Sequence, residues 1–260
     1  MENEYTRSEH RESEKLYRTE AIVLKSMNVG EADKILTIYT QTRGKLKVVA
    51  KGIRRTTSRL SGYVQRFTQA RMLIAKGRNL DIITQSDPVK IFRHMSEDLN
   101  LFGYASYATE LLDRLTEEHS ENFPAYQLLV ETFEALDSGA DPSVTLRAYE
   151  LHLLNYMGYR PQLQECVRCT AELQPMVNYF SPELGGVLCF NCGQIERRSV
   201  ELSVDALKVL RYLQKNVFGS GPKLRLSDPL RRELEQVMRS YTRYLLERDL
   251  KSAEFIHTLP

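Results

Sequence analysis

The four cysteines of the chain all fall in one stretch: Cys166-Val-Arg-Cys169, nineteen residues, then Cys189-Phe-Asn-Cys192. Each two-residue knuckle lets a pair of thiolates face one ion at about 2.3 Å, and two knuckles complete a tetrahedron, so the spacing points to zinc. A disulfide pair is disfavoured because nothing in the sequence suggests secretion. A redox motif normally needs one CxxC rather than two at finger spacing. Four thiolates leave no open position for water or substrate, which makes the expected zinc structural. The intervening YFSPELGGV carries Pro182 and Gly185-Gly186, suited to a β-turn that folds the second knuckle back on the first. A segment of this size cannot bury a core of its own, whereas a structural zinc contributes on the order of 10 kcal/mol to small finger peptides.

The second chemically notable stretch is KGIRRTTSR, where Lys51, Arg54, Arg55 and Arg59 stand among Gly, Ile, Thr and Ser with no acid. The whole chain is almost balanced, with 36 Lys and Arg against 34 Asp and Glu. From Lys15 to Arg78, however, fifteen bases face only Glu20, Glu31 and Asp33, an excess of +12 that leaves −10 for the rest. Such polarity suits a polyanionic partner for one part of the molecule. Tyr17, Tyr39, Tyr63 and Phe67 could stack on bases of a single strand, although Tyr39 and Phe67 suit a core equally well. No Asn, Gln or Arg reading helix is evident, so binding through backbone and stacking is expected.

Other chemistry finds little support. There is no GxxxxGK[ST] loop, and GSGPKLRLS lacks both a preceding apolar strand and a following Lys-Ser/Thr. No HExxH occurs. The five histidines are scattered, and the adjacent acids Glu97-Asp98 and Glu117-Glu118 point apart on helices. The expectation is a protein that is not an enzyme.

The elements that must position these residues change character along the chain. Residues 1–16 are polar and are expected to be a flexible tail, with no apolar region to act as a signal peptide. From 17 to 88, AIVLKS, DKILTIYT, KLKVVA, ARMLIAK and LDIITQS read as five short strands, with TRG and GRN as turns. Five such strands suggest an oligonucleotide-binding (OB) barrel, with Lys51 to Phe67 as its long connection. After Pro88 the period becomes helical. Ser96 is expected to cap a helix to about Thr116, and FPAYQLLVETFEALDSG forms a second ending at Gly139. Asp141-Pro142 starts a third that stops at Gly158, SVDALKVLRYLQKN forms another, and Asp228-Pro229 opens a further, long one. The fold class is therefore α+β: a five-stranded barrel over 17–88, a helical domain over 89–165 and 193–260, and a four-cysteine zinc-finger insertion over 166–192. No apolar run is long enough to span a membrane, and a cytoplasmic protein is expected.

Three stretches resemble the RecO family of recombination mediators. GEADKILTIYTQTRGKLKVVAKGIRRTTSRLSGYVQRFTQARM is similar to the family's N-terminal barrel pattern, and HLLNYMGYRPQLQECVRC with YFSPELGGVLCFNC is similar to its zinc segment. LKSAEFIHTL is similar to its closing motif. The likeness runs from about Tyr17 to Leu259, with Thr170 standing where the family usually has Gly and Ile53 where a small residue is common. The resemblance implies a protein that binds single- and double-stranded DNA and anneals complementary strands without ATP. It further implies that the protein works with RecR so that RecA displaces the single-strand binding protein, SSB, whose acidic, apolar C-terminal tail it engages.

On this reading the phosphate contacts are Lys34, Arg43, Lys45, Lys51, Arg54, Arg55 and Arg59. Arg147, Arg211 and Arg231 are conceivable walls of an SSB-tail pocket, and Arg168, Arg197 and Arg198 could let the zinc finger touch DNA. The alternatives are an RNA-binding or transcriptional zinc protein, and a zinc hydrolase, against which the four-thiolate site argues.

Overall fold

A computed structural model describes residues 15–56, 58, 60, 64–216 and 224–258, the side chains of 254, 257 and 258 excepted. The chain divides after Ile91 into two compact units.

The first unit is a closed barrel of β1 (Leu16–Val29), β2 (Asp33–Thr40), β3 (Gly44–Ala50), β4 (Thr68–Ala75) and β5 (Asp81–Ile91) in the order β1-β2-β3-β5-β4. β1 serves both neighbours: its first half pairs with β4 and its second with β2, and a bulge between Val23 and Lys25 bends it between them. Alternation turns Ala21, Val23, Leu36, Ile38, Leu46, Val48, Ala70, Met72, Ile74 and Ile83 into the interior. β5 continues through Pro88, tolerated because it sits at a register shift against β4. Ile53 and Val64, from the long connection, are buried against the same core.

The second unit contains α1 (Arg93–Glu97), α2 (Leu99–Leu115), α3 (Phe123–Asp137), α4 (Pro142–Tyr156), β6 (Asn178–Ser181), β7 (Gly186–Leu188), α5 (Phe190–Ile195), β8 (Val200–Leu202), α6 (Val204–Lys215), α7 (Asp228–Leu246) and α8 (Lys251–Thr258). The helix starts follow side-chain chemistry. Asn122, Asp141 and Ser203 cap α3, α4 and α6. The expectation for Ser96 is corrected: Asp98 caps α2 by accepting from the amides of Asn100 and Leu101, and Ser96 lies inside the preceding short helix. Gly139 and Gly158 end α3 and α4 at φ +83°. Glu110 holds α8, accepting from the backbone and hydroxyl of Ser252.

A three-stranded sheet, β7-β6-β8, was not visible in the residue pattern. It carries the cysteine segment into a common core: Leu163, Cys166, Phe180, Val187 and Leu188 pack with Leu151 and Leu154 of α4, Leu207 and Leu210 of α6, and Val237, Met238 and Tyr241 of α7. The segment thus shares the core of the helices instead of standing apart from it.

Candidate metal centre and nucleic-acid surface

The sulfurs of Cys166, Cys169, Cys189 and Cys192 lie within 4.8 Å of one another. Backbone geometry brings them together. In the first knuckle the Thr170 amide donates to the Cys166 carbonyl and the Cys166 amide to the Ala171 carbonyl, both at 2.9 Å. In the second, Cys189 stands just before α5 and the Gly193 amide donates back to its carbonyl at 2.9 Å. β7 links the two, because the Val167 amide donates to the Val187 carbonyl at 2.9 Å. The approach requires Gly186: a Cβ there would lie 2.5 Å from Val167 Cγ1 and 2.6 Å from the Gln162 carbonyl. The expected turn closes at Pro182–Gly185, with Gly185 at φ +66°. Arg168 and Glu196 form an ion pair between the two knuckles.

The donor set fits a tetrahedral dication. Bonds of about 2.3 Å imply sulfur–sulfur edges of about 3.8 Å, and Cys169 and Cys189 stand 3.8 Å apart. The proton energetics agree. Burial pushes the Cys166 thiol up, but amides of Cys169, Cys189 and Arg168 outweigh it and bring the thiol down to about 6. Desolvation and the three neighbouring sulfurs push Cys192 up to about 12. One thiolate is accommodated and further ones repel it, a conflict that a bound cation removes.

The seven cations expected to contact phosphate separate into two groups. Lys51, Arg54 and Arg55 are exposed, and their turn is docked on the β1–β2 turn. The Gly52 amide donates to Asp33 Oδ1 at 2.7 Å, the Arg54 amide to the Ala32 carbonyl at 3.0 Å, and Arg54 Nη1 to the Gly30 carbonyl at 3.2 Å. Lys34, at the start of β2, belongs to the same end. Arg43 and Lys45 stand at the other end of the β2–β3 hairpin, about 20 Å along the strand. Arg43 lies 4.2 Å from the Tyr17 ring centroid, and Lys45 is only 8% exposed. Arg59 and the stacking candidate Tyr63 lie outside the described residues.

The other stacking candidates are corrected. Tyr17, Tyr39 and Phe67 are all buried, and the Tyr17 hydroxyl donates to Asp81 at 2.7 Å. Burial wins because each ring stands at a position that the strand pairing or the connection turns away from solvent.

The three helical arginines have structural partners. Arg211 donates to the carbonyls of Leu163 and Gln164. Arg231 pairs with Asp141 and Ser143, and buried Arg147 with Glu150 at 3.0 Å. Arg147 and Arg231 nevertheless line one cavity of about 270 Å³, with Arg232, Tyr104, Leu146 and Ile256. Arg197 and Arg198 are exposed. Among the described residues, no helix is long and apolar enough to cross a membrane.

A closed barrel of the oligonucleotide-binding type followed by a helical unit that carries a four-thiol cluster at its surface defines a class of two-part proteins with a cysteine-knuckle helical unit. The family described as Recombination protein O N terminal matches residues 14–92, and Recombination protein O C terminal matches residues 96–254. Among curated relatives, the DNA repair protein RecO of Roseiflexus sp. (strain RS-1) is 46% identical over 94% of this chain and 86% of its own length. Those of Pelotomaculum thermopropionicum and Dehalococcoides mccartyi (strain BAV1) are 38% and 37% identical over 93% and 94% of this chain, and 94% and 96% of their own lengths. The chain belongs to the RecO family of DNA repair proteins.

Proposed function

We propose that this protein is a recombination mediator that binds single- and double-stranded DNA and anneals complementary strands without ATP. With RecR, it helps RecA replace SSB on single-stranded DNA. The observation that carries the reading is the cation group Lys34, Lys51, Arg54 and Arg55 at one end of the barrel, within a segment of excess +12. Annealing requires that phosphate repulsion between two strands be cancelled while their base edges stay free, and cations that contact backbone without reading bases meet both needs. Arg43 and Arg59 extend the phosphate surface in this proposal. Lys45, being buried, is left out of it.

Zinc is the proposed ion of the four-thiol cluster. Its role is to hold the two knuckles together; no catalytic activity is assigned to the protein. The SSB tail is the proposed occupant of the cavity lined by Arg147, Arg231 and Arg232, whose cations suit a carboxylate and whose Leu146 and Ile256 suit an apolar side chain. The proposed location is the bacterial cytoplasm, at the nucleoid.

The test is the annealing rate of two complementary strands coated with their cognate SSB, with no nucleotide present. Coating matters because bare strands are annealed by many polycations. Acceleration is the expected result. DNA binding without acceleration would reduce the reading to a basic metal-containing binding protein and bring an RNA partner forward.

A further inference from the structure

A row of apolar side chains runs round the outside of the barrel at one level. From strand to strand, Met27 faces Ile35, Ile35 faces Val49, and Val49 lies beside Ile82. Ile82 faces Ala75, and Ala75 faces Leu16. Ile35, Val49, Ile82, Ala75 and Leu16 each adjoin an interior residue: Leu36, Val48, Ile83, Ile74 and Tyr17. Strand alternation therefore directs them outward, and the pairing with Ile35 directs Met27 the same way. Met27 is 61% exposed and Leu16 49%, and the other four are partly exposed. An outward face of a small barrel is ordinarily polar. Here all five strands contribute an apolar residue to it.

The surroundings of this row are cationic. Two residues along the strands, about 7 Å away, Lys25 and Lys47 are exposed on either side of Thr37, their common cross-strand neighbour. On its other side stands the exposed Lys51–Arg55 turn, Lys51 lying two residues beyond Val49, whereas the outward neighbour of Ile35 there is Asp33 and Lys34 pairs with interior Ala50. Of the three acids in the basic segment, Glu20 is paired with Arg71 and Asp33 accepts from the Gly52 amide.

We propose that this row is a rail for the base faces of single-stranded nucleic acid, with the flanking lysines on the phosphates. The inference rests on the DNA reading above and deepens it by naming the surface that meets the bases. Charge decides the occupant. A protein partner needs only the apolar row, whereas an apolar row edged by cations on both sides matches a chain of apolar faces joined by anions. A duplex hides its base faces, so the occupant is a single strand. Among the described residues the rail also supplies what the other stacking candidates do not, because Tyr17, Tyr39 and Phe67 are buried. Aliphatic and thioether contacts hold a base less firmly than an aromatic ring does. A strand held this way is released when its complement arrives.

The chain has no tryptophan, so Met27→Trp creates a single reporter on the rail and Ile195→Trp one on an exposed position of the helical unit. Each variant is titrated with an oligothymidylate and with an abasic oligonucleotide of the same length. The expected result is quenching of Met27→Trp by the oligothymidylate only, with Ile195→Trp unchanged. The double variant Met27→Ser/Ile35→Thr changes no charge. It is expected to weaken oligothymidylate binding about fivefold, with abasic binding and the salt slope unaltered. Equal affinity of the unmodified chain for the two strands, or binding without quenching, would overturn the rail while leaving the phosphate reading in place. Failure of both strands to bind would remove the DNA reading and the rail with it.

Discussion

The residues that follow the second cysteine of each knuckle show how one motif position answers to two different constraints. Thr170 holds φ +57°, where an L side chain costs about 1 kcal/mol or more, and its hydroxyl donates to the Cys169 carbonyl at 2.7 Å. Gly193 has no such dihedral; its constraint is space, since a Cβ would lie 2.1 Å from Tyr179 Cδ2. Thr170→Gly is therefore expected to retain the metal and to stabilise the protein by at most about 1 kcal/mol, a rise of roughly 2–4 °C in melting temperature. Gly193→Ala is expected to cost about 1–3 kcal/mol by overpacking against the ring. Thermal melts of the metal-loaded variants check both signs. A second residue-scale prediction concerns Glu150, which burial raises to about 7 against the lowering effects of Arg147 and the Tyr107 hydroxyl. As pH falls through 7 the carboxyl loses its charge while Arg147 keeps its own, so the cavity becomes more positive. An acidic peptide with the SSB tail sequence is expected to bind about fivefold more tightly at pH 6 than at pH 8. Glu150→Gln should flatten that dependence, and calorimetric titration at the two pH values decides it.

At the scale of elements, the consequence of the shared core is that a metal bound by the four thiols would support more than the knuckles. Cys166, Phe180 and Leu188 touch the same cluster as α4, α6 and α7, so loosening the cysteine segment exposes helix faces as well. Cys189→Ser is expected to lose the metal and to destabilise the helical unit by several kcal/mol. Amide hydrogen exchange should then speed up along α6 and α7 as well as in β6 and β7. The barrel has a separate interior cluster, and its amides should keep their protection. Deprotection confined to the knuckles would contradict the shared core.

At the scale of the whole molecule, charge is partitioned by unit. Replacing Lys51, Arg54 and Arg55 by Ala should weaken DNA binding uniformly across sequences. The dependence on log salt should fall by about 0.7 for each lost phosphate contact on a single strand. Filter binding over a range of salt measures this, and an unchanged slope would move the phosphate surface away from the β1–β2 end. The same variants are expected to leave any metal content unchanged, since the four clustered sulfurs all belong to the second unit.

Local chemistry alone determined much of this protein. CxxC spacing singled out the four cysteines whose sulfurs cluster, alternation identified five strands, and Asp141, Gly139 and Gly158 marked helix ends, because each of these signals acts within a few residues. The short strands β6 to β8 were hidden, since three or four residues are too few for a period to register and their pairing partners are distant in sequence. Tertiary structure also decided which side chains are available. It buried Tyr17, Tyr39 and Phe67 and drew Arg147, Arg211 and Arg231 into partnerships with residues or carbonyls. Separation along the chain does not report closeness in a barrel, so it took the strand pairing to part Lys34, Lys51, Arg54 and Arg55 from Arg43. The apolar row is the clearest such case. Its six members are spread from Leu16 to Ile82, and only cross-strand register, set by the closure of the barrel, brings them to one level of its outer surface.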